Sequence, residues 1–193
     1  MKELSGTTYD EATDGASPVM PGTYPAHVVG MTSRTFDSGS IVFNLTFRIA
    51  EEVSNMNIVK QVKNGSGAYE TVVDSDNNPV EVSAAYMKGK TYFAQGVWLT
   101  PDPGKGQGWK NRKYKETCEN LGISFNVNKE GVVILGEVEE EDIVGAPALV
   151  RLNEQEYTNR NGEQRTSFRG DNILPWKDGS KLSADELTDD VPF

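Results

Sequence analysis

Histidine and cysteine are almost absent from this chain of 193 residues, which holds one of each, His27 and Cys118. A single cysteine cannot close an internal disulfide, and a reducing cytoplasm is its simplest setting. A single histidine leaves a His-based zinc site or a Ser-His-Asp triad little to work with. His27 therefore reads as a strand residue, and Cys118 as a small buried apolar side chain. Long apolar runs are missing as well: none approaches the roughly 20 residues of a membrane span. Met1 to Gly6 lacks the basic-then-apolar pattern of a signal peptide. These absences predict a soluble cytoplasmic protein with no membrane partner.

Phosphate-cradling loops are lacking too. Gly104-Lys105-Gly106 fails the P-loop spacing, because Leu99 stands where the first glycine belongs and no Ser or Thr follows Lys105. Gly104, Gly106 and Gly108 give GxGxG without the Rossmann spacing or its βαβ setting. The acids at 137–142, interrupted only by Val138, lack the sustained alternation of a cation loop and read as a solvated loop or helical turn. No compact carboxylate-lysine motif marks a metal-dependent nuclease. The expectation is a non-enzymatic protein without cofactor or metal.

Positive charge is scarce, at 19 Lys and Arg against 29 Asp and Glu, but the excess acid is segregated. Residues 1–14 carry net −3, residues 137–142 net −5 and residues 178–193 net −4. Those segments account for −12 of a chain total of −10, which leaves the remainder at +2. A polyanionic partner is therefore compatible with the body of the chain.

What the chain does have is strand pattern. Residues 1–20 are polar, acidic and aperiodic, and read as a flexible arm. Ile41, Phe43, Leu45, Phe47 and Ile49 alternate with Val42, Asn44, Thr46 and Arg48, the period of a half-buried strand. Gly22–Met31 precedes it across a turn at 37–39. Short ribbons are expected around 58–62, 71–73 and 80–84, and a continuous strand over Tyr92–Leu99 would place Tyr92 and Trp98 on one face. Tyr114, Cys118 and Leu121 recur at helical spacing in a helix over Trp109–Leu121, with Gly122 as its C-cap. Val132–Leu135 forms a short strand. Ala148–Thr158 and Gln164–Leu174 form a hairpin about Asn161-Gly162, a type I′ signal. About five principal strands with one helix between them fit a mainly β chain. The expected fold is a small OB-like barrel with one inserted α-helix, extra β-ribbons and a disordered acidic C-terminal tail. A β-sandwich is the structural alternative. The expected divisions are an arm at 1–20, a barrel domain at 21–176 and an acidic tail at 177–193.

Two mixtures of cations and aromatics stand out. Lys105, Lys110, Arg112, Lys113 and Lys115 lie within eleven residues, interleaved with Trp109 and Tyr114. The final hairpin adds Arg151, Arg160, Arg165 and Arg169, with Tyr157 and Phe168 beside them. Single-strand binders combine cations for phosphate with aromatic faces on which bases stack. The plainer reading makes these residues a solvated helix face, a helix staple, core side chains and edge-strand charges.

The chain closes on Asp185-Glu186-Leu187-Thr188-Asp189-Asp190-Val191-Pro192-Phe193. Phe193 offers an apolar anchor with a terminal carboxylate, Asp189 and Asp190 offer charge for a basic rim, and Pro192 holds the backbone extended. This ending resembles the acidic tip of bacterial single-stranded-DNA-binding proteins, with Val191 in the isoleucine position and two Asp before it. The resemblance implies that Asp189, Asp190, Val191, Pro192 and Phe193 dock to replication, recombination and repair proteins. Pro21-Gly22-Thr23-Tyr24, the strand at 41–49, Leu121-Gly122, Gly145-Ala146-Pro147 and Tyr157…Asn161-Gly162-Glu163…Leu174-Pro175 are similar to a family of small phage replication and recombination proteins. That second resemblance implies an OB-like fold and single-stranded DNA as partner. A rival reading is an adaptor or inhibitor that uses the tip alone, and the pattern is also compatible with a homo-oligomer. The segregated charge further predicts that the acidic tail competes with DNA for the basic surface.

Overall fold

The computed structural model describes residues 19–94, 96–101, 108–159 and 161–188. In chain order its strands are β1 (Gly22–Thr35), β2 (Ile41–Ile49), β3 (Asn57–Val59), β4 (Gln61–Lys63), β5 (Tyr69–Thr71) and β6 (Glu81–Ser83). Then come β7 (Thr91–Phe93) and β8 (Val97–Leu99), followed by helix α1 (Gly108–Asn120). Strands β9 (Asn126–Val127) and β10 (Val133–Ile134) precede the short helix α2 (Glu140–Ile143). The long hairpin β11 (Pro147–Thr158) and β12 (Gln164–Pro175) and the short helix α3 (Ala184–Thr188) complete the order.

Strand pairing is that of the expected barrel. β1 pairs with β2 and β11, β2 with β7 and β8, and β11 with β12. A parallel bridge from Ala94 to Gly170 joins the third principal strand to β12 and brings the sheet close to closure. With β7 and β8 taken as one broken strand, the circuit runs first, second, third, fifth, fourth and back to the first. The helix α1 falls between the third and fourth. This is an OB-like topology.

Alternation along β1, β2 and β11 builds the core. Tyr24, Ala26, Val28, Phe43, Leu45, Phe47, Ile49, Val150 and Leu152 point inward and are buried. Each large apolar side chain removed from water contributes about 1.5–3 kcal/mol. Tyr114 and Cys118 bring the apolar stripe of α1 against that core: the Phe43 and Tyr114 rings lie 5.2 Å apart. The Tyr114 hydroxyl donates to the Gly136 carbonyl at 2.8 Å. Burial pushes the Cys118 thiol up to about 12, so it stays protonated and inert, as its place on the apolar stripe suggested. Gly122, at a φ of +85°, terminates the helix as a left-handed cap.

Two local expectations give way. First, the strand expected over Tyr92–Leu99 is broken by a bulge. Tyr92 pairs with Phe47 and Phe93 with Thr46, whereas Val97 pairs with Phe43 and Trp98 with Val42. The register shifts by one residue between the two pieces, and such a shift exchanges the faces. Tyr92 therefore points inward, where burial pushes its hydroxyl up to about 12, while Trp98 points outward. Gly96 permits the bulge by close approach: a Cβ there would lie 2.8 Å from Val42 Cγ2. Second, the turn at Asn161-Gly162 is not type I′. Only Gly162 has positive φ, and Asn159 Oδ1 instead accepts from the backbone N–H groups of Asn161 and Glu163, each at 2.9 Å. Asn64, Asp74 and Asn128 organise three other hairpins the same way, with Gly67, Asn77 and Gly131 in the left-handed position.

The tail boundary moves as well. Residues expected to hang free from 177 lie against the body as far as Leu187. Leu182 N–H donates to the Gly145 carbonyl at 3.0 Å, and Lys181 Nζ donates to the Asp142 carbonyl at 2.9 Å. Gly145 has a φ of +83°, and a Cβ on it would meet the Leu182 carbonyl oxygen at 2.1 Å, so only glycine admits this strap. His27 lies in β1 as expected and is buried under it. Its Nε2 sits 3.1 Å from the Ser180 carbonyl and its ring 5.4 Å from Trp176. Residues 189–193, the tip of the sequence reading, lie outside the described residues, as do residues 1–18.

Candidate nucleic-acid interface

The outward positions of the first three principal strands form one surface. Arg34, Val42 and Trp98 stand side by side by register, followed by Thr32 and Asn44, then by Thr46 and Phe93. Phe36, in the loop that follows β1, lays its ring on Trp98 at 5.2 Å with 26° between planes. Arg34 lies 4.8 Å from the Phe36 ring, and Lys110 of α1 lies 5.0 Å from the Trp98 ring. The four side chains make an alternating ladder: cation, aromatic, aromatic, cation. Contacts of this kind contribute about 0.5–1 kcal/mol each at exposed sites. Phe93, on the strand that ends the sheet order, is 64% exposed.

Around the edge of that surface, α1, β8 and β12 enclose a cleft of about 440 Å³. Trp98, Trp109, Arg112, Lys113, Glu116 and Asp171 line it. Trp109 is 59% exposed and makes no ring contact among the described residues. Arg112 is exposed and has no carboxylate partner among the described residues. Lys113 donates to Asn172 Oδ1 at 3.1 Å, and Lys115 turns along the helix to Glu119 at 2.6 Å. Of the five cations read as one cluster, Lys105 lies outside the described residues and Lys115 is engaged away from the cleft.

The final hairpin arranges its residues differently. Tyr157, Arg165 and Arg169 share the outer face of β11 and β12, and Arg169 lies 5.7 Å from the Tyr157 ring. Phe168 has the opposite parity. It packs against the core and meets Tyr69 at 6.2 Å, so it does not join Tyr157 as a stacking platform. Beneath it Lys63 pairs with Glu154, which fastens the β4–β5 ribbon to the hairpin. Arg151 donates from Nε to Asp171 at 2.9 Å, and Arg165 pairs with Glu163 at 2.8 Å. The Arg151 pair sits at a second bulge, where the register shifts between Arg151 and Leu152. Arg151 holds the Asp171 carboxyl below its usual range against the opposing pull of burial, with help from Asn153. Arg160 lies outside the described residues.

A larger cleft, about 780 Å³, lies where the strap crosses the far end of the β1–β2 outer face. Arg48 donates there to the Leu187 carbonyl, Lys88 pairs with Glu51, and Lys90 lies 5.1 Å from the Tyr86 ring. Its cations are thus engaged by the chain itself. Of these two clefts, the smaller presents groups, Trp109 and Arg112, that have no side-chain partner among the described residues.

Arg34, Phe36 and Phe93 are not among the residues that the sequence pattern singles out, and Trp98 is expected there on the same face as Tyr92. Phe93 follows inward-facing Tyr92, so its outward direction was available from parity alone. The direction of Trp98 was not, because it depends on the register shift between Phe93 and Val97. No family model and no curated protein matches the chain. Function has to be read from the residues themselves.

Proposed function

We propose that the chain binds single-stranded DNA, with little sequence specificity, along the outer face of its first three strands and the α1 cleft. The observation that carries this reading is Trp109 with Arg112: an exposed indole and an unengaged guanidinium on one cleft of an OB-like barrel. Such barrels bind oligonucleotides on the face of strands two and three. Stacking on an aromatic is worth about 1–3 kcal/mol per base and tolerates any sequence, because every base has a π-face. The Arg34–Phe36–Trp98–Lys110 ladder extends the platform, whereas on the hairpin Arg169 already lies on the Tyr157 ring. A narrow cleft between a helix and a sheet suits one strand better than a duplex.

Partner recruitment belongs to the same proposal. Leu187 meets Arg48 beside the outer face, and the tip residues Asp189 to Phe193 that follow in sequence would carry replication or recombination proteins of a phage to the bound strand. The strap contact on Arg48 supports competition between the acidic tail and DNA. Fluorescence anisotropy with labelled oligo-dT, matched duplex and single-stranded RNA across a salt series tests the reading. Expected is binding to oligo-dT well above duplex, weakening with salt by a log–log slope of roughly −0.7 per phosphate contacted. Deletion of 178–193 should tighten it. A flat salt response overturns the electrostatic surface, and no binding at low salt by either form transfers the function to the tip as an adaptor.

A further inference from the structure

Three side chains on α1 face the 440 Å³ cleft at spacings that put them on one side of the helix: Trp109, Arg112 and Glu116. Among the described residues none of the three makes a hydrogen bond, an ion pair or a ring contact. Arg112 and Glu116 stand four apart, the spacing of a helical ion pair, and yet do not pair. Lys115 and Glu119, at the same spacing one turn on, do. The cleft thus holds an aromatic face, a cation and a carboxylate acceptor, each with its capacity unused.

The opposite wall is formed by Gly96, Gly170 and Asp171, with the two glycines packed closely on Val42 and Val150 behind them. Asp171, on the same wall, is held by Arg151 and Asn153 and so is fixed in place. Trp98 is already covered by Phe36 and Lys110, which leaves Trp109 as the open stacking face. Seven residues of helix rise about 10 Å. Trp109 and Glu116 lean the same way along the helix. A base stacked on Trp109 therefore reaches the Glu116 carboxylate by extending along the cleft that both line, with Arg112 between them for the phosphate.

An ionised carboxylate only accepts hydrogen bonds. Cytosine, adenine and guanine each present an exocyclic amine that donates, whereas thymine presents carbonyl oxygens at the corresponding positions. Thymine's only donor is an imino N–H set between two carbonyl oxygens, which repel a carboxylate. We propose that Glu116 selects the base occupying this cleft, favouring an amine-bearing base over thymine. The inference rests on the proposed single-strand function and adds a preference within it. Discrimination of this kind is large where a buried polar group would be left unpaired and smaller in an open cleft.

The test compares oligo-dC with oligo-dT of equal length, at neutral pH and one salt concentration, for the full chain and for Glu116→Gln. The full chain should bind oligo-dC about fivefold to tenfold more tightly, the effect of one charge-assisted hydrogen bond in a partly solvated cleft. Glu116→Gln, which offers both a donor and an acceptor, should bring the two strands within about twofold. Because Glu116 is exposed, the variant keeps its fold, and Glu116→Ala checks the same loss of preference. Equal or tighter binding of oligo-dT by the full chain overturns the proposal. So does a Glu116→Gln variant that strengthens both strands by the same factor, which would make the carboxylate a mere repulsive charge. Binding of neither strand removes the single-strand function itself, a result distinct from binding without preference.

Discussion

The α1 cleft and the outer face of the β11–β12 hairpin contain similar residues and treat them in opposite ways. Both mix cations with aromatics, and both read alike in the sequence. On the hairpin Arg151 is held by Asp171, Arg165 by Glu163, and Arg169 lies on Tyr157. In the cleft Arg112 and Trp109 have no partner among the described residues. A cation already paired must break that pair to meet a phosphate, so the same residue type offers less net binding on the hairpin. Counting basic residues therefore overstates the hairpin and misses what distinguishes the cleft.

That comparison breaks most easily at the aromatics. Trp109→Ala should weaken oligo-dT binding by about tenfold or more, the loss of one stacked base, while Tyr157→Ala should change it by less than about twofold. Equal losses measured by anisotropy would merge the two regions into one site. A smaller effect separates the cations. Arg112→Gln should make the salt slope shallower by roughly 0.7, the share of one phosphate, and Arg165→Gln should leave the slope unchanged. A change at Arg165 instead would mean that the Glu163 pair opens when DNA binds.

Much of the barrel is legible in the amino-acid sequence. The alternation over Ile41–Ile49 set the second strand and its buried face, and Tyr114, Cys118 and Leu121 set the apolar stripe of α1. Both signals are local and repeat often enough to fix a period. What escaped was non-local. The bulge that turns Trp98 outward depends on how Gly96 meets Val42 on the neighbouring strand, and period-two reasoning carries no trace of it. The Arg34–Phe36–Trp98–Lys110 ladder joins three segments that only the barrel brings together. Likewise the strap over His27 rests on Gly145, whose positive φ and contact with Leu182 arise from tertiary packing. Charge pairing was equally hidden: Arg151 and Asp171 are twenty residues apart, and only a hairpin register with a bulge sets them side by side.

The central claim is that a strand of DNA stacks in the α1 cleft. The chain has three tryptophans, Trp98, Trp109 and Trp176, and only Trp109 offers an open ring there. The most direct measurement is intrinsic fluorescence titrated with an oligo-dC or oligo-dT strand, for the full chain, Trp109→Phe and Trp176→Phe. Stacked bases quench indole emission, so quenching should persist in Trp176→Phe and fall away in Trp109→Phe. Quenching that survives loss of Trp109 but vanishes with Trp176 would place the strand at the C-terminal strap and contradict the account.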